Sequence, residues 1–310
     1  MSVLALSGGI GGAKLALGLY RVLPSEALTV VANTGDDFEH LGLSISPDID
    51  TLLYTLAGID NPDTGWGRSG ETWTFMAALE TLGGETWFKL GDGDLATHIE
   101  RTRRLTAGES LSQITDDFRH RLGISARLLP MTDDRVRTRL RTEEGWLDFQ
   151  DYFVRRRSAP VVRNIIYTGA SEARANPDFL AALAADNLEA VVICPSNPFL
   201  SIDPILSLPC IKDALRACDA PVVAVSPIID GKAVKGPTAK IMSELGLPTG
   251  AAAVAQHYAD ILDIYVADEA DADEIAGLGI PVRLTHTLML TVDDREALAR
   301  AVLAAVSRVF

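Results

Sequence analysis

Val3–Lys14 reads VLALSGGIGGAK, and Leu28–Ala32 reads LTVVA. The pattern is an apolar run, a glycine turn at Gly8–Gly12, a helical stretch over Ala13–Leu23 stopped by Pro24, and a second apolar run. Uninterrupted apolar strands joined by a helix mark a parallel sheet covered on both faces. The rhythm returns later in the chain. Helical patterns at Asp178–Ala185, Ile211–Ala217, Thr238–Leu245 and Ala251–His257 alternate with strands at Ala190–Cys194, Pro221–Ser226 and Ile264–Ala267. A helix at Asp271–Leu278, a strand at Pro281–Leu284 and an amphipathic helix over Asp293–Val309 close the chain. The expected fold class is α/β: a doubly wound, mainly parallel Rossmann-like sheet over residues 1–310 as a single domain. Between its two halves, helices are expected at Asp48–Leu56, Glu71–Leu82, His98–Leu105 and Leu111–Leu122. Residues from about 135 to 175 break the pattern. RTRLRTEEGWLDFQDYFV, Arg137–Val154, alternates around Glu143-Glu144-Gly145 as a hairpin does, and Val161–Tyr167 reads as a further strand. This segment is expected to be a smaller mixed α+β insert.

The chain has 310 residues, long enough for one large core. Apolar residues make up 47% and charged residues 23%, the balance of a globular protein. A net charge of −14 opposes duplex nucleic acid and anionic membrane surfaces, so neither is expected as a partner. An anionic small molecule then needs backbone amides, a few basic side chains or a metal. Cys194, Cys210 and Cys218 have no C-x-x-C spacing and an odd count, so they read as reduced thiols of a cytoplasmic enzyme. MSVLALSGG lacks a basic leader, and no apolar stretch reaches the length of a membrane span. A homodimer is the default expectation for a soluble oligomer.

Ligands of open parallel sheets bind beyond the carboxyl ends of the strands, so the loops there carry the function. SGGIGGAK, Ser7–Lys14, resembles a phosphate loop. It fails the dinucleotide spelling G-x-G-x-x-G, because Lys14 stands where the third glycine belongs. It also fails the Walker spelling, with Ala13 and Leu15 in place of glycine and Ser/Thr. A general anion cradle remains, built from Gly8, Gly9, Gly11, Gly12 and Lys14 at a helix start. Asn33-Thr34-Gly35-Asp36-Asp37 and Ser46-Pro47-Asp48-Ile49-Asp50-Thr51 bring carboxylates to the same edge. Such a group suits Mg²⁺, which takes one or two carboxylates and then phosphate oxygens. Helix capping is the plainer reading of Asp48 and Asp50. Trp87–Asp94, WFKLGDGD, sets Lys89 between aromatics and a turn, a combination that can grip a planar or anionic ligand. Downstream, His98, Arg101, Arg103 and Arg104 form a basic patch, and His98 taken by itself reads as structural rather than catalytic. Cys194–Ile202, CPSNPFLSI, is fixed by two prolines and offers Ser196, Asn197 and Ser201 as polar contacts. A companion loop, SPIIDGK at Ser226–Lys232, leads to Lys235 and Gly236. No G-x-S-x-G or H-E-x-x-H occurs, which removes the usual serine-elbow and zincin chemistries.

SGGIGGAK, NTGDD, SPDIDTLLYTLAG, GWG with ETW, WFKLGDGDLATHIERT, ARLLPMTDD, PSNPFLSI and SPIIDGKAVKG occur in this order between residue 7 and about residue 236. The set resembles the 2-phospho-L-lactate transferase family, CofD/FbiA-like enzymes of coenzyme F420 biosynthesis. The resemblance implies that the deazaflavin Fo is joined to a guanylylated three-carbon acid: its ribityl hydroxyl attacks phosphorus and GMP leaves. It implies Mg²⁺ and assigns roles. Asp50 lies near the ribityl hydroxyl as catalytic base or metal ligand, and Lys89, Thr51 and Trp87 contact Fo. Gly8, Gly9, Gly11, Gly12, Lys14, Ser196 and Asn197 face the guanylyl donor. Asp48, Asp36 and Asp37 are further metal candidates. The motifs do not choose among lactate, enolpyruvate and glycerate. A rival reading is a non-catalytic relative that binds a nucleotide or sugar nucleotide. The acids and tryptophans between SPDID and WFKLGD favour the enzyme.

Overall fold

A computed structural model describes residues 2–234 and 236–307. The first strand, β1 (Ser2–Ser7), is buried from Val3 onward. Its side chains alternate between two faces, as a strand requires. Leu4 and Leu6 enter one hydrophobic core, while Val3 and Ala5 enter the other. β1 pairs in parallel with β2 (Leu28–Ala32) on one side and with Leu188–Ile193 on the other. Seven strands make the sheet, in the order Val282–Thr285, Ile264–Asp268, Val222–Val225, Leu188–Ile193, β1, β2, Arg127–Pro130. All of their pairings are parallel. The chain order reverses direction between β1 and Leu188–Ile193. That gap is the topological switch point, where a doubly wound sheet opens a crevice.

The doubly wound expectation holds, and several elements move. The glycine turn is absorbed into α1 (Gly9–Val22), which starts directly behind β1. Between β2 and α2 (Pro47–Ala57), a short hairpin of Phe38–His40 and Leu43–Ile45 stands where the sequence suggested only loops. The helix expected over Glu71–Leu82 contracts to α3 (Thr74–Thr81). The GDGD turn is instead the first turn of α4 (Asp92–Thr106). One cause explains both shifts. Glu71 accepts hydrogen bonds from the Gly93 and Asp94 amides at 2.7 and 2.8 Å, so it caps the next helix. Near the C-terminus, the helix expected at Asp271–Leu278 shortens to Ala272–Ile275. The last helix spans Val292–Val306, and residues 308 and 309 of the expected helix lie outside the described residues.

The 135–175 segment carries an antiparallel sheet of Gly145–Asp148, Arg137–Thr142 and Val162–Thr168, with Arg137–Thr142 in the middle. The hairpin does not run on to Val154. Asp151–Arg155 forms a π-helical turn, and Phe149 stacks on Phe153 at 5.3 Å. The switch is readable afterwards: alternation ends at Asp148, and Phe149, Tyr152 and Phe153 recur at helical spacing.

Candidate active site

A cavity of about 610 Å³ opens at the switch point. Gly8, Gly9, Ile10 and Gly11 at the start of α1 form one part of its wall, and Pro195, Ser196 and Asn197 form the next. The two loops are clamped together: Ser196 Oγ donates to the Gly8 carbonyl at 2.7 Å. Gly11 is required by this approach. A Cβ there would lie 2.3 Å from the Pro195 carbonyl oxygen. Gly12 is packed against Ser7 and Ser196 and does not line the cavity as Gly8, Gly9 and Gly11 do. The Gly9 amide already donates to Asp48 Oδ1 at 2.6 Å. What the helix start offers a ligand is therefore its remaining first-turn amides and dipole. Lys14 lines the cavity, and its Nζ donates to the Met289 carbonyl at 2.7 Å, so the loop after the last strand helps to place it. The side-chain Oδ1 of Asn197 accepts from the Phe199 and Leu200 amides and caps the following π-turn, whereas its buried Nδ2 has no hydrogen-bond partner among the described residues.

The acids divide into two groups. Asp36 and Asp48 line the cavity and are joined by Asn33, whose Nδ2 lies 2.9 Å from Asp48 Oδ2 and 3.4 Å from Asp36 Oδ1. Burial pushes Asp48 up to about 6, although the hydrogen bonds from Asn33 and Gly9 pull the other way. Burial raises Asp36 well above the carboxylate range, helped by the charges of Asp48 and Asp37. Burial also lifts Asp37 to about 7 against the pull of Arg137 and Ser46, but Asp37 does not reach the cavity wall. Among the described residues, no three His, Cys, Asp or Glu side chains converge to hold a metal by themselves. The donor chemistry of Asp36 and Asp48 fits a hard cation whose remaining ligands are substrate oxygens.

Asp50 belongs to the other group. Arg101 reaches over from α4 and grips both of its oxygens, with Nη1 3.0 Å from Oδ2 and Nη2 against Oδ1. Both residues are buried. His98 sits alongside, its Nδ1 3.6 Å from Asp50 Oδ2 and its Nε2 3.2 Å from Asp94 Oδ2. The Tyr54 hydroxyl donates to Asp94 at 2.6 Å. Burial raises Asp94, but His98, the Tyr54 hydrogen bond and the Arg101 charge together outweigh it and leave Asp94 lowered overall. Asp50 thus stands in an arginine-held network, which separates it from the two acids suited to a cation. The expected basic patch dissolves. His98 and Arg101 turn inward to this network, Arg103 pairs with Glu100, and Arg104 pairs with Glu109 and Asp117.

The outer wall is aromatic and cationic. Trp66, Trp87, Phe88, Phe149 and Phe153 line it, together with Thr51 and Lys89. Arg155 holds its guanidinium 5.7 Å from the Trp87 ring centre. Phe88 packs edge-on to Phe38 at 4.8 Å. The structure therefore brings Gly8, Gly9, Gly11, Lys14, Asp36, Asp48, Asp50, Thr51, Trp87, Lys89, Ser196 and Asn197 to one cavity, and leaves Gly12 and Asp37 behind it. The sequence did not single out Phe149, Phe153, Arg157, Thr287 or Met289, all of which line it, and Trp66 entered only within the GWG motif.

Fold and site together define an α/β enzyme of the doubly wound class with its cleft at the switch point. The chain belongs to the family described as 2-phospho-L-lactate transferase CofD, whose pattern matches residues 3–299. It is 42% identical over 319 residues to a phosphoenolpyruvate transferase from Kitasatospora aureofaciens, spanning 100% of this chain and 99% of that one. It is 41% identical over 306 residues to a 2-phospho-L-lactate transferase from Methanosarcina mazei, spanning 98% and 100%. Among solved structures, a UPF0052 family member from Bacillus halodurans superposes with a TM-score of 0.65 at 15% identity, covering 97% of this chain and 98% of that one. That likeness speaks for the fold alone.

Proposed function

We propose that the enzyme joins Fo to a guanylylated three-carbon acid, lactyl or enolpyruvyl, and releases GMP in coenzyme F420 biosynthesis. The observation that carries this reading is one continuous cavity that runs from the α1 start, past Asp50, to the Trp87–Lys89 wall. The helix start, Lys14 and Asn197 suit the diphosphate and nucleoside of the donor, and the aromatic wall suits a planar ring. In the transfer, the ribityl oxygen bonds to the phosphorus that carries the acid. The bond from that phosphorus to the bridging oxygen breaks, GMP leaves with the electron pair, and a phosphodiester remains. Each Asp50 oxygen keeps a second lone pair beyond its Arg101 bond, so Asp50 can accept the ribityl hydroxyl, orient it and receive its proton. Phosphoryl transfer asks mainly for positioning and charge stabilisation. Asp36 and Asp48 would hold Mg²⁺, which when bound supplies charge neutralisation to the diphosphate oxygens.

The test is direct. Purified protein is mixed with Fo, Mg²⁺ and each guanylylated acid, and products are read by mass spectrometry. Fo binding is followed separately by its fluorescence. A product of mass Fo plus the phosphorylated acid less one water supports the reading, and its donor preference names the acid. Absence of both Fo binding and product overturns it.

A further inference from the structure

Arg157 lines the cavity, yet its side chain has no hydrogen bond, ion pair or ring contact with the described residues. Its neighbours are engaged: Arg155 lies over Trp87, and Arg156 pairs with Asp151 and Glu144. Arg157 also holds an uncommon backbone. Its φ is 51° and that of Ser158 is 55°, two successive left-handed residues that are not glycine. Such strain persists only where the surroundings over-determine it, and it gathers at functional sites.

Here the surroundings do so. The fully buried Tyr152 accepts the Ser158 amide at its carbonyl, 2.9 Å, and its hydroxyl lies 3.4 Å from the Ser158 carbonyl. Lys240 donates to the Pro160 carbonyl at 2.9 Å and reaches the Tyr152 hydroxyl at 3.4 Å. The 156–160 strap is thus pinned from behind by two separate elements. Its one cavity-facing cation is left unpaired in a chain of net charge −14. Carboxylates are plentiful, yet the exposed, cavity-lining Arg157 side chain pairs with none of the described ones, which leaves it open to an anion that arrives from outside. Lys89, the other lining cation without an ion pair among the described residues, sits on the aromatic wall.

We propose that Arg157 is a specificity-determining residue that reads the carboxylate of the three-carbon acid. This rests on the transferase reading above. The donor brings two kinds of anion. Its diphosphate has the helix start and Lys14. Its carboxylate has none of these, and a planar guanidinium fork matches a carboxylate with two parallel hydrogen bonds. The strap fixes the Arg157 backbone on the cavity wall, so an alkyl ester of GDP lacking a carboxylate leaves the guanidinium unsatisfied.

The experiment compares donor binding without Fo, by calorimetry, for the enolpyruvyl and lactyl donors, GDP, and a simple ethyl ester of GDP. Arg157→Gln is expected to weaken both acid-bearing donors about ten- to a hundredfold and GDP and the ester less than about threefold. Arg157→Gly relieves the left-handed backbone, so its Tm is expected to equal or exceed that of the parent while the same selective loss appears. An equal loss for GDP would show that Arg157 reads phosphate. Unchanged affinity for every ligand, or a lower Tm in Arg157→Gly with no selective loss, would assign it to the strap's structure. Each of these results overturns the proposal. Failure of the transferase reading shows separately, as wild-type protein that binds neither Fo nor any donor.

Discussion

The two walls of the cleft are built on opposite terms. The inner wall grows from the ends of β1 and the Leu188–Ile193 strand, and its polar groups largely hold one another: Ser196 holds Gly8, Asp48 holds Gly9 and Asn33, and Arg101 holds Asp50. The outer wall comes from the 60–91 excursion and the insert. The excursion contributes only Met76 and Leu90 as buried hydrophobics to a small core that they share with Ile45 of the hairpin before α2, and it leaves Trp66 and Trp73 at 49% and 45% exposure. The difference teaches where each property resides. Rigidity is concentrated where the chain is buried and bonded, and free recognition groups are concentrated where it is not.

The comparison breaks most sharply at Arg101. Its removal leaves Asp50 buried without a counter-charge, so Arg101→Leu is expected to cost about 3–5 kcal/mol in chemical denaturation. The paired Arg101→Leu/Asp50→Leu protein should recover most of that stability while losing transfer. If the single variant unfolds like the parent, the inner wall is not held by this pair.

Gly11 is the next test. Alanine there sets a Cβ 2.3 Å from a backbone oxygen that cannot swing away. The overpacking outweighs alanine's better helix propensity, for a net loss of about 2 kcal/mol, read as a shifted denaturation midpoint at constant slope. A stabilised Gly11→Ala would mean that the two loops are free to part.

Fold and site were not equally legible. VLAL and AVVIC are apolar without interruption and LTVVA is broken only by Thr29, the near-continuous apolar run of a strand buried on both faces, so the parallel sheet followed from local pattern. The rule that loops after strands bind ligands then located Asp48 and Ser196. Arg101 escaped because its partner is 51 residues away in sequence and is met only when α4 folds over α2. The places of Trp66 and Phe153 on the cavity wall escaped for a similar reason: they depend on excursions whose course no periodicity records. Arg157 depends on a backbone angle set by Tyr152 and Lys240, and nothing in RRRS announces it.

The smallest effect on stability sharpens the comparison from the outer side. Trp66 and Trp73 are similarly exposed and lie on the same excursion, but only Trp66 lines the cavity. Neither ring supports a core, so Trp66→Ala and Trp73→Ala should each change stability by less than about 0.5 kcal/mol. Ring stacking is worth about 1–3 kcal/mol, so Trp66→Ala should weaken Fo binding about tenfold in a fluorescence titration. Trp73→Ala, by the same titration, should bind Fo as the parent does. Equal losses from both would mean that the excursion acts as one stiff body whose shape depends on each ring. Loss from Trp66 alone would mean that the wall recognises its ligand one side chain at a time.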